Sequence, residues 1–512
     1  MYELLQAPCT REDAAPLKDT SYSVPAMDDL WQITGGLCGV VEAGGTIGPS
    51  VHTKLVPRGL VVGAELEGDG ATTPSQSLNE RQPRRWCCCA GRESARNLRV
   101  GSELLRFEDL LGAVLDTAAR LVRLVHCPVS SGARVRRDIV LHVGGDEKVL
   151  AAVNEWTSRL NEKCKVKGQR NYHALINPAS GSGQAASRWQ QARELFDSLT
   201  HLNITESFTT RAGEAGEIAS QLDPRQCDGI IVVSGDGMVH EVFNGLASRS
   251  DRSEALRIAV GHIPAGSGNA LAKSILHSSG EAFGVLDAAF LIAKGHQQDL
   301  DLMTVSQPSQ PDRTSFLGLS AGVIADVDLG SEWLRFLGGF RFTLYAGVCI
   351  VYPRPLLAEL HYWPSHAGQP PMPPPSIDSE LPTGPWASIS GPFTVFWSSN
   401  MEWTSYNTQL APGQSMEDGV CSIVLLRNAG RVALTRFLLA LESDGGHLDV
   451  EGTEKLECRA FRLRPLSTDA RGYFSLDGEE VPLQPIQFWP AGQGRVIGSS
   501  SPDGPIDSVM AV

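Results

Sequence analysis

The sequence has no uncharged apolar run of about 18 residues, the length a helix needs to cross a bilayer. Its longest candidate, Phe342 to Tyr352, is too short. It opens on Met-Tyr-Glu-Leu-Leu-Gln-Ala-Pro, with neither a basic start nor an apolar stretch, so no secretory signal is expected. Cationic residues are also in deficit: 44 Lys and Arg against 58 Asp and Glu give a formal net charge of -14. That balance argues against a nucleic-acid partner, which demands a basic surface to displace phosphate counterions. The 11 cysteines, an odd number, show no paired metal spacing, and reduced thiols in the cytoplasm are expected rather than a disulfide framework. No G-x-x-x-x-G-K-[ST] occurs, which excludes a Walker phosphate loop.

What is present is enough for several cores: 512 residues, 42% hydrophobic. Residues 1–95 lack lasting periodicity and read as an irregular extension; within them Cys87, Cys88 and Cys89 follow Arg84-Arg85-Trp86, a pattern open to S-acylation at a membrane or to a plain cysteine run. Over 96–165, short strand-like runs precede a helix that places Val149, Val153, Trp156 and Leu160 on one face, with Asp146 as N-cap. Strands closed by one amphipathic helix predict a small pleckstrin-homology-like module.

The segment 170–300 repeats one order three times: an apolar strand, a glycine turn, a helix. The strands are His173–Asn177, Gly229–Ser234 and Ile258–Ile263; the turns are Pro178–Gly183, Gly235–Gly237 and Pro264–Gly268. Such repeats predict an α/β fold, a parallel sheet with its loops gathered at the carboxyl edge of the strands, where ligands bind. From 301 to 490 the pattern turns to alternating strand-like runs, Phe316 to Ile324 among them, and predicts an antiparallel β-sandwich. The proline-dense stretch 364–392 reads as a flexible insertion and 491–512 as a disordered tail.

Glycine turns ahead of helices let backbone N–H groups approach phosphate. In the first turn alone, Gly181, Gly183 and Ala186, with Glu206 at the distance of a ribose-binding acid, also satisfy a dinucleotide fingerprint, but that reading leaves the other two turns unused. Asp236 stands between two glycines of the second turn. A carboxylate is a poor phosphate ligand, and its charge makes sense if it takes a proton from a hydroxyl or acts through a metal; the plain alternative is a helix N-cap. Asp326 and Asp328 would share one face of a strand, or else mark a polar strand end with Asp328 as a cap. Two arginines near a helix, Arg335 and Arg341, would alone be a solvated face.

Taken together and in order, Ser234-Gly-Asp-Gly237, Pro264-Ala-Gly-Ser-Gly-Asn269, Ile324-Ala-Asp-Val-Asp-Leu-Gly-Ser-Glu332, Arg341-Phe-Thr-Leu344 and Asp477-Gly-Glu479 resemble the sphingosine kinases, from about Tyr172 to Phe488. The resemblance implies transfer of the γ-phosphate of ATP, with Mg2+, to the primary hydroxyl of a sphingoid base. It implies a nucleotide domain related to diacylglycerol kinases followed by a lipid-binding β-sandwich, in a cytoplasmic protein that associates reversibly with membranes. Asp236 would be the base. Asn177, Pro178, Ser180, Gly181, Thr210, Ser234, Gly235, Gly237, Glu241, Gly266, Ser267 and Glu479 would surround the nucleotide, and Arg335 and Arg341 would meet its phosphates. Asp328 would pair with the substrate ammonium, and Asp477 would stand on the magnesium side, through water. Ala179 and the lysine-free run Ser180-Gly-Ser-Gly183 depart from the family and weaken the electrostatic hold of the first loop. A ceramide or diacylglycerol kinase, or a non-catalytic lipid-binding scaffold, are the rival readings, and the oligomeric state, monomer or homodimer, stays open.

Overall fold

The computed structural model describes residues 103–498, apart from 165, 167, 338–339, 444 and 467–471, together with the strands Glu42–Ala43, Ser50–Val56, Gly59–Glu65 and Asn97–Val100. Cys87–Cys89 and residues 499–512 lie outside the described residues. The chain forms two compact units, one of 1–129 with 135–166 and one of 130–134 with 167–512.

In the first unit Leu110–Asp116, Leu121–His126 and Ile139–His142 form an antiparallel sheet. The helix Glu147–Lys163 follows, its first turn closed by Asp146 Oδ1, which accepts from the backbone N–H groups of Lys148 and Val149 at 3.0 and 3.1 Å. Val153, Trp156 and Leu160 pack onto Leu110, Leu124 and Leu141, as the helical spacing predicts. The extension is not wholly irregular: Ser50–Val56 and Gly59–Glu65 pair as an antiparallel hairpin.

The second unit begins with β1 (Arg170–Ile176), α1 (Ala185–Phe196), β2 (Leu202–Phe208), α2 (Glu214–Gln221), β3 (Gly229–Ser234), α3 (Asp236–Ala247), β4 (Ala259–Pro264) and α4 (Ala270–Ser278). The strands run parallel in the order β2-β1-β3-β4. Ile230 to Val233 are wholly buried, as expected of a strand covered on both faces. Glu206, the acid of the dinucleotide reading, instead pairs with Arg193 on the edge strand β2, so that reading loses its ribose ligand.

The antiparallel part holds β5 (Gln297–Ser306), β6 (Leu319–Gly322), α5 (Val323–Gly330), α6 (Phe340–Val351), β7 (Ala358–Pro364), β8 (Phe393–Ser399), β9 (Cys421–Arg427), α7 (Arg431–Ala440), β10 (Thr453–Pro465), β11 (Phe474–Leu476) and β12 (Ile486–Ile497). Alternate residues of β8 and β9 serve two cores. Phe396, Ile423 and Leu425 join Phe461, Phe474 and Phe488, whereas Val395 and Val424 face Val323, Leu434 and Phe437 of the helices.

Three expectations are corrected here. Residues 491–497 are not tail but the end of β12, which pairs with β5 along its length and meets β4 at Val260↔Val496, so the parallel and antiparallel strands belong to one sheet of 15 strands. The strand predicted for Phe316 to Ile324 stops at Gly322, whose φ of 69° and the 2.5 Å that would separate its Cβ from Thr394 O force the chain to turn. Asp326 and Asp328 therefore sit on a helix, about 200° apart around its axis rather than on a common strand face. Lastly, the proline-dense insertion is packed down. Its carbonyls at Pro371, Pro375, Ser376 and Ser379 accept from Trp489, Gln487 and the buried Arg462 at 2.6–3.1 Å. Trp386 from the same stretch sits between Trp363 and Trp489, with ring centroids 5.4 and 5.6 Å apart.

Candidate active site

The three glycine turns meet at the carboxyl edge of β1, β3 and β4, and their glycines are required by how closely they meet. A Cβ on Gly181, which has φ 58°, would lie 2.2 Å from Ala265 O, and one on Gly266 would lie 2.3 Å from Gly235 Cα. Ser180 Oγ donates to Ala265 O at 3.1 Å, tying the first turn to the third. Asn177 Oδ1 accepts from Ala179 N and shapes the first turn, Pro178 is exposed on it, and Ser234 is buried at the end of β3. Asn269 holds the third turn by a two-way clasp, its amide donating to Gly266 O and accepting from Gly266 N, both at 2.8 Å. Ser267 is left exposed at the tip, its hydroxyl open to a ligand.

Asp236 begins α3, but it caps a different helix. Its Oδ2 and Oδ1 accept from Ala270 N and Leu271 N of α4 at 2.9 and 3.2 Å, and Gly268 leaves room for it: a Cβ there would be 2.8 Å from Oδ2. Burial pushes its carboxyl above the usual carboxylate range, opposed by the charge of His262 and by the two N–H bonds, and assisted by Asp477. A base that is neither strongly acidic nor free to wander is what proton abstraction from an alcohol needs.

Asp328 on α5 accepts from Ser475 Oγ at 3.0 Å. Burial raises its carboxyl too; Ser475 and Arg341 pull the other way, while Glu332 and Asp236 add to the rise. Asp236 and Asp328 thus share one electrostatic neighbourhood although they come from opposite halves of the sheet. Arg341, buried at the start of α6 with its guanidinium 4.4 Å from the Phe342 ring centroid, acts on Asp328. Arg335 lies in the short turn Glu332–Leu337, and its side chain is outside the described residues. Asp326, two residues before Asp328, is buried among Cys349, Tyr345 and Arg354, and burial pushes its carboxyl up to about 6.

Two predicted nucleotide contacts have structural partners. Glu241 reaches from α3 to Gly213 N and Ala215 N at 2.8 and 3.2 Å, closing the first turn of α2. The exposed Thr210 gives both its N–H and its hydroxyl to Glu214.

Asp477 departs furthest from its expected role. It is 1% exposed, and Oδ1 accepts from Ser315 Oγ, Leu317 N and Gly318 N at 2.6, 3.0 and 2.8 Å, while Oδ2 accepts from Phe316 N at 3.1 Å and His240 Nδ1 at 2.8 Å. A carboxylate offers about four lone-pair sites, and five donors fill them, so no position remains for a metal or for its water. Asp477 is the knot that fastens the segment 315–318 to α3. Glu479 is exposed at this edge, and its Oε1 would be 2.5 Å from a Cβ on Gly237. Among the described residues no cluster of three His, Cys, Asp or Glu side chains that could hold a metal ion occurs.

Accordingly, Asp477→Asn sets an amide against several N–H donors and should cost about 1–3 kcal/mol of stability, seen as a lower urea midpoint, with the magnesium requirement of turnover unchanged. A variant of normal stability that needed more magnesium would restore the metal role.

His240, Asn244 and Arg188 were not anticipated. Asn244 clasps Thr314 by two 2.8 Å bonds, so Asp236, His240 and Asn244, spaced by four, use one face of α3 to grip both halves of the site. That spacing is visible in the sequence. Arg188 of α1 donates to Pro264 O at 2.7 Å and supplies beside the third turn the cation that the first loop lacks.

The chain is similar to several known proteins. Residues 171–305 match the diacylglycerol kinase catalytic domain. The chain is 30% identical over 464 residues to sphingosine kinase 1 of Arabidopsis thaliana, covering 84% of this chain and 92% of that one. It is 30% identical to sphingoid long chain base kinase 4 of Schizosaccharomyces pombe, covering 63% and 73% respectively. A crystal structure of a diacylglycerol kinase from Bacillus anthracis str. Sterne covers 65% of this chain and 98% of its own at 16% identity, with a TM-score of 0.43.

Proposed function

Since the chain belongs to the sphingosine kinase family, and is a lipid kinase that uses ATP to phosphorylate sphingoid bases, we propose that its chemistry is carried by Asp236 and Asp328. Asp236 takes the proton of the lipid's primary hydroxyl as that oxygen bonds to the γ-phosphorus and the bond from phosphorus to the ADP oxygen breaks. The glycine turns offer their N–H groups to the phosphates, and Asp328 pairs with the ammonium of the base. What supports this reading is a short chain of contacts: Asp328 accepts from Ser475 Oγ, and Asp477, two residues further on, meets His240, one helical turn after Asp236. A ceramide or diacylglycerol headgroup has no cation, and binding it would leave Asp328 without its partner. Magnesium would be held by Glu479 and by the nucleotide itself, supplying charge neutralisation at the transferring phosphoryl. Incubating the purified protein with labelled ATP and sphingosine, phytosphingosine, ceramide and diacylglycerol tests the reading; strong labelling of ceramide or diacylglycerol alone would overturn it.

The protein is further proposed to be cytoplasmic and to touch membranes reversibly. Cys421 and Cys458 face each other across β9 and β10 as thiols, in keeping with a reducing compartment. Among the described residues no helix is long and apolar enough to cross a membrane. On α6, Phe340, Leu344, Val348 and Val351 are 44–56% exposed, with Tyr352 beyond them at 73%, while Arg341 and Cys349 are buried. An apolar stripe at helical spacing beside the lipid carboxylate fits an interfacial helix. The first unit is read as a pleckstrin-homology-like module from its antiparallel strands and closing helix. Replacing both Leu344 and Val348 by Glu should abolish most vesicle binding while activity in detergent micelles persists; unchanged sedimentation with vesicles would remove the stripe from the membrane surface.

A further inference from the structure

The strand face that carries Ser475 bears a second buried hydroxyl, to which the reaction above gives no task. Strand residues alternate between faces. Leu319 and Ala321 of β6, Phe474 and Leu476 of β11 and Phe396 of β8 belong to the core around Phe461 and Phe488. Ser320, Ser475 and Trp397, which alternate with them along the strands, therefore point the other way, towards the helices. Ser320 pairs directly with Ser475 on one side and with Trp397 on the other. The three make a row across β11, β6 and β8, with neighbours about 5 Å apart at Cβ. The row starts at the lipid carboxylate, because Ser475 Oγ donates to Asp328 Oδ2 at 3.0 Å. It ends at the Trp397 ring, which packs against the cluster of Val395, Val424, Leu434 and Phe437. Ser320, in the middle, is 7% exposed, and its hydroxyl makes no hydrogen bond among the described residues.

We propose that Ser320 binds a hydroxyl at C4 of the substrate chain, so that this kinase selects 4-hydroxylated sphingoid bases over those with a plain methylene there. The inference rests on Asp328 holding the ammonium at C2. From that carboxylate the row runs hydroxyl, hydroxyl, aromatic ring. A 4-hydroxylated base presents, in matching order after its ammonium, a C3 hydroxyl, a C4 hydroxyl and an alkyl chain. Ser475 meets the C3 hydroxyl, since its oxygen keeps lone pairs after donating to Asp328. Ser320 is one strand further from Asp328 and meets the next group along the chain. A buried hydroxyl without a partner costs free energy; a methylene at C4 leaves that cost standing, and a hydroxyl there removes it. A site built in this way discriminates against the analogue that lacks the matching group.

The test compares 4-hydroxysphinganine with sphinganine, which differ only in that hydroxyl, at equal mole fraction in the same detergent micelles. The full-length protein should show a kcat/KM about five- to tenfold higher for the 4-hydroxylated base, the worth of one neutral hydrogen bond. Ser320→Ala deletes a hydroxyl that bonds to nothing in the described protein, so the fold should survive, and the ratio of the two bases should fall to near one. A parent ratio near one, a result that needs no variant, overturns the proposal. So does a ratio that Ser320→Ala leaves unchanged, which would make the hydroxyl structural or a contact of the C3 group common to both bases. Asp328→Asn tells this failure from that of the reading beneath it. If that variant loses both bases together while the parent ratio is near one, the ammonium site stands and only the C4 subsite falls. If it spares both, Asp328 is not at C2, and the proposal falls with it.

Discussion

Asp236→Asn is expected to lower phosphoryl transfer by about a hundred- to ten-thousand-fold, the usual effect of losing a general base, while ATP binding persists. The substitution is close to isosteric. The remaining carbonyl oxygen can keep the 2.9 Å bond from Ala270 N, and the amide gives up the 3.2 Å bond from Leu271 N. Loss of part of that cap should cost roughly 0.5–2 kcal/mol of stability, too little to unfold the site but visible in a denaturation midpoint. Because the turns are held by Ser180, Asn269 and glycine packing, and not by Asp236, the nucleotide should bind almost as before. Near-normal turnover by a folded Asp236→Asn protein would end the base role. Nucleotide affinity lost along with activity would mean that α4 depends on the carboxylate for its position.

The second large effect should come from Asp328→Asn. Asparagine can still accept from Ser475 Oγ, so the local fold has little reason to change. What vanishes is the charge opposite the substrate ammonium in a desolvated place, and breaking such a pair costs about 2–5 kcal/mol. Sphingosine kcat/KM should therefore fall well over tenfold. N-acetylated sphingosine, which has no cation, should be a poor substrate of the parent and lose little further. Arg341 sharpens the expectation: with Asp328 neutral, its guanidinium loses one anionic neighbour and the site turns more positive, which further disfavours an amine. Equal losses on both lipids would reassign Asp328 to the fold or to the nucleotide side.

The parts of this site that sequence makes plain are those where chemistry demands a residue type locally. Gly181, Gly235 and Gly266 are legible because turns that touch backbone to backbone admit no side chain, and Asp236 because a carboxylate amid phosphate-binding glycines is anomalous. Asp328 was legible as a residue but not as a geometry, since Ile324 and its neighbours alternate as a strand would and only the turn at Gly322 converts them to helix. Asp477 was misplaced because its partners, Ser315 to Gly318 and His240, are remote in sequence, and nothing local announces that five donors will converge on it. The bonds of Glu241 to Gly213 N and Ala215 N were hidden for the same reason, since no sequence displays which backbone N–H groups a carboxylate will meet. The proline-rich insertion misled in the opposite direction. Its composition predicts mobility, but Arg462, Gln487 and Trp489 supply the donors that fix its carbonyls.

The pairing of β12 with β4 has a consequence for how the protein is made. The parallel half leaves the ribosome first, yet the open side of β4 waits for Val496, nearly half the chain later. At ordinary elongation rates of about 5–20 residues per second that interval is on the order of ten seconds or more, during which an apolar strand presents unpaired backbone to the cell. Such edges recruit neighbouring strands indiscriminately. Nascent chains of this kinase should therefore depend on chaperones until translation is almost complete, and stop codons that remove only the last strand should yield aggregates rather than a shortened enzyme.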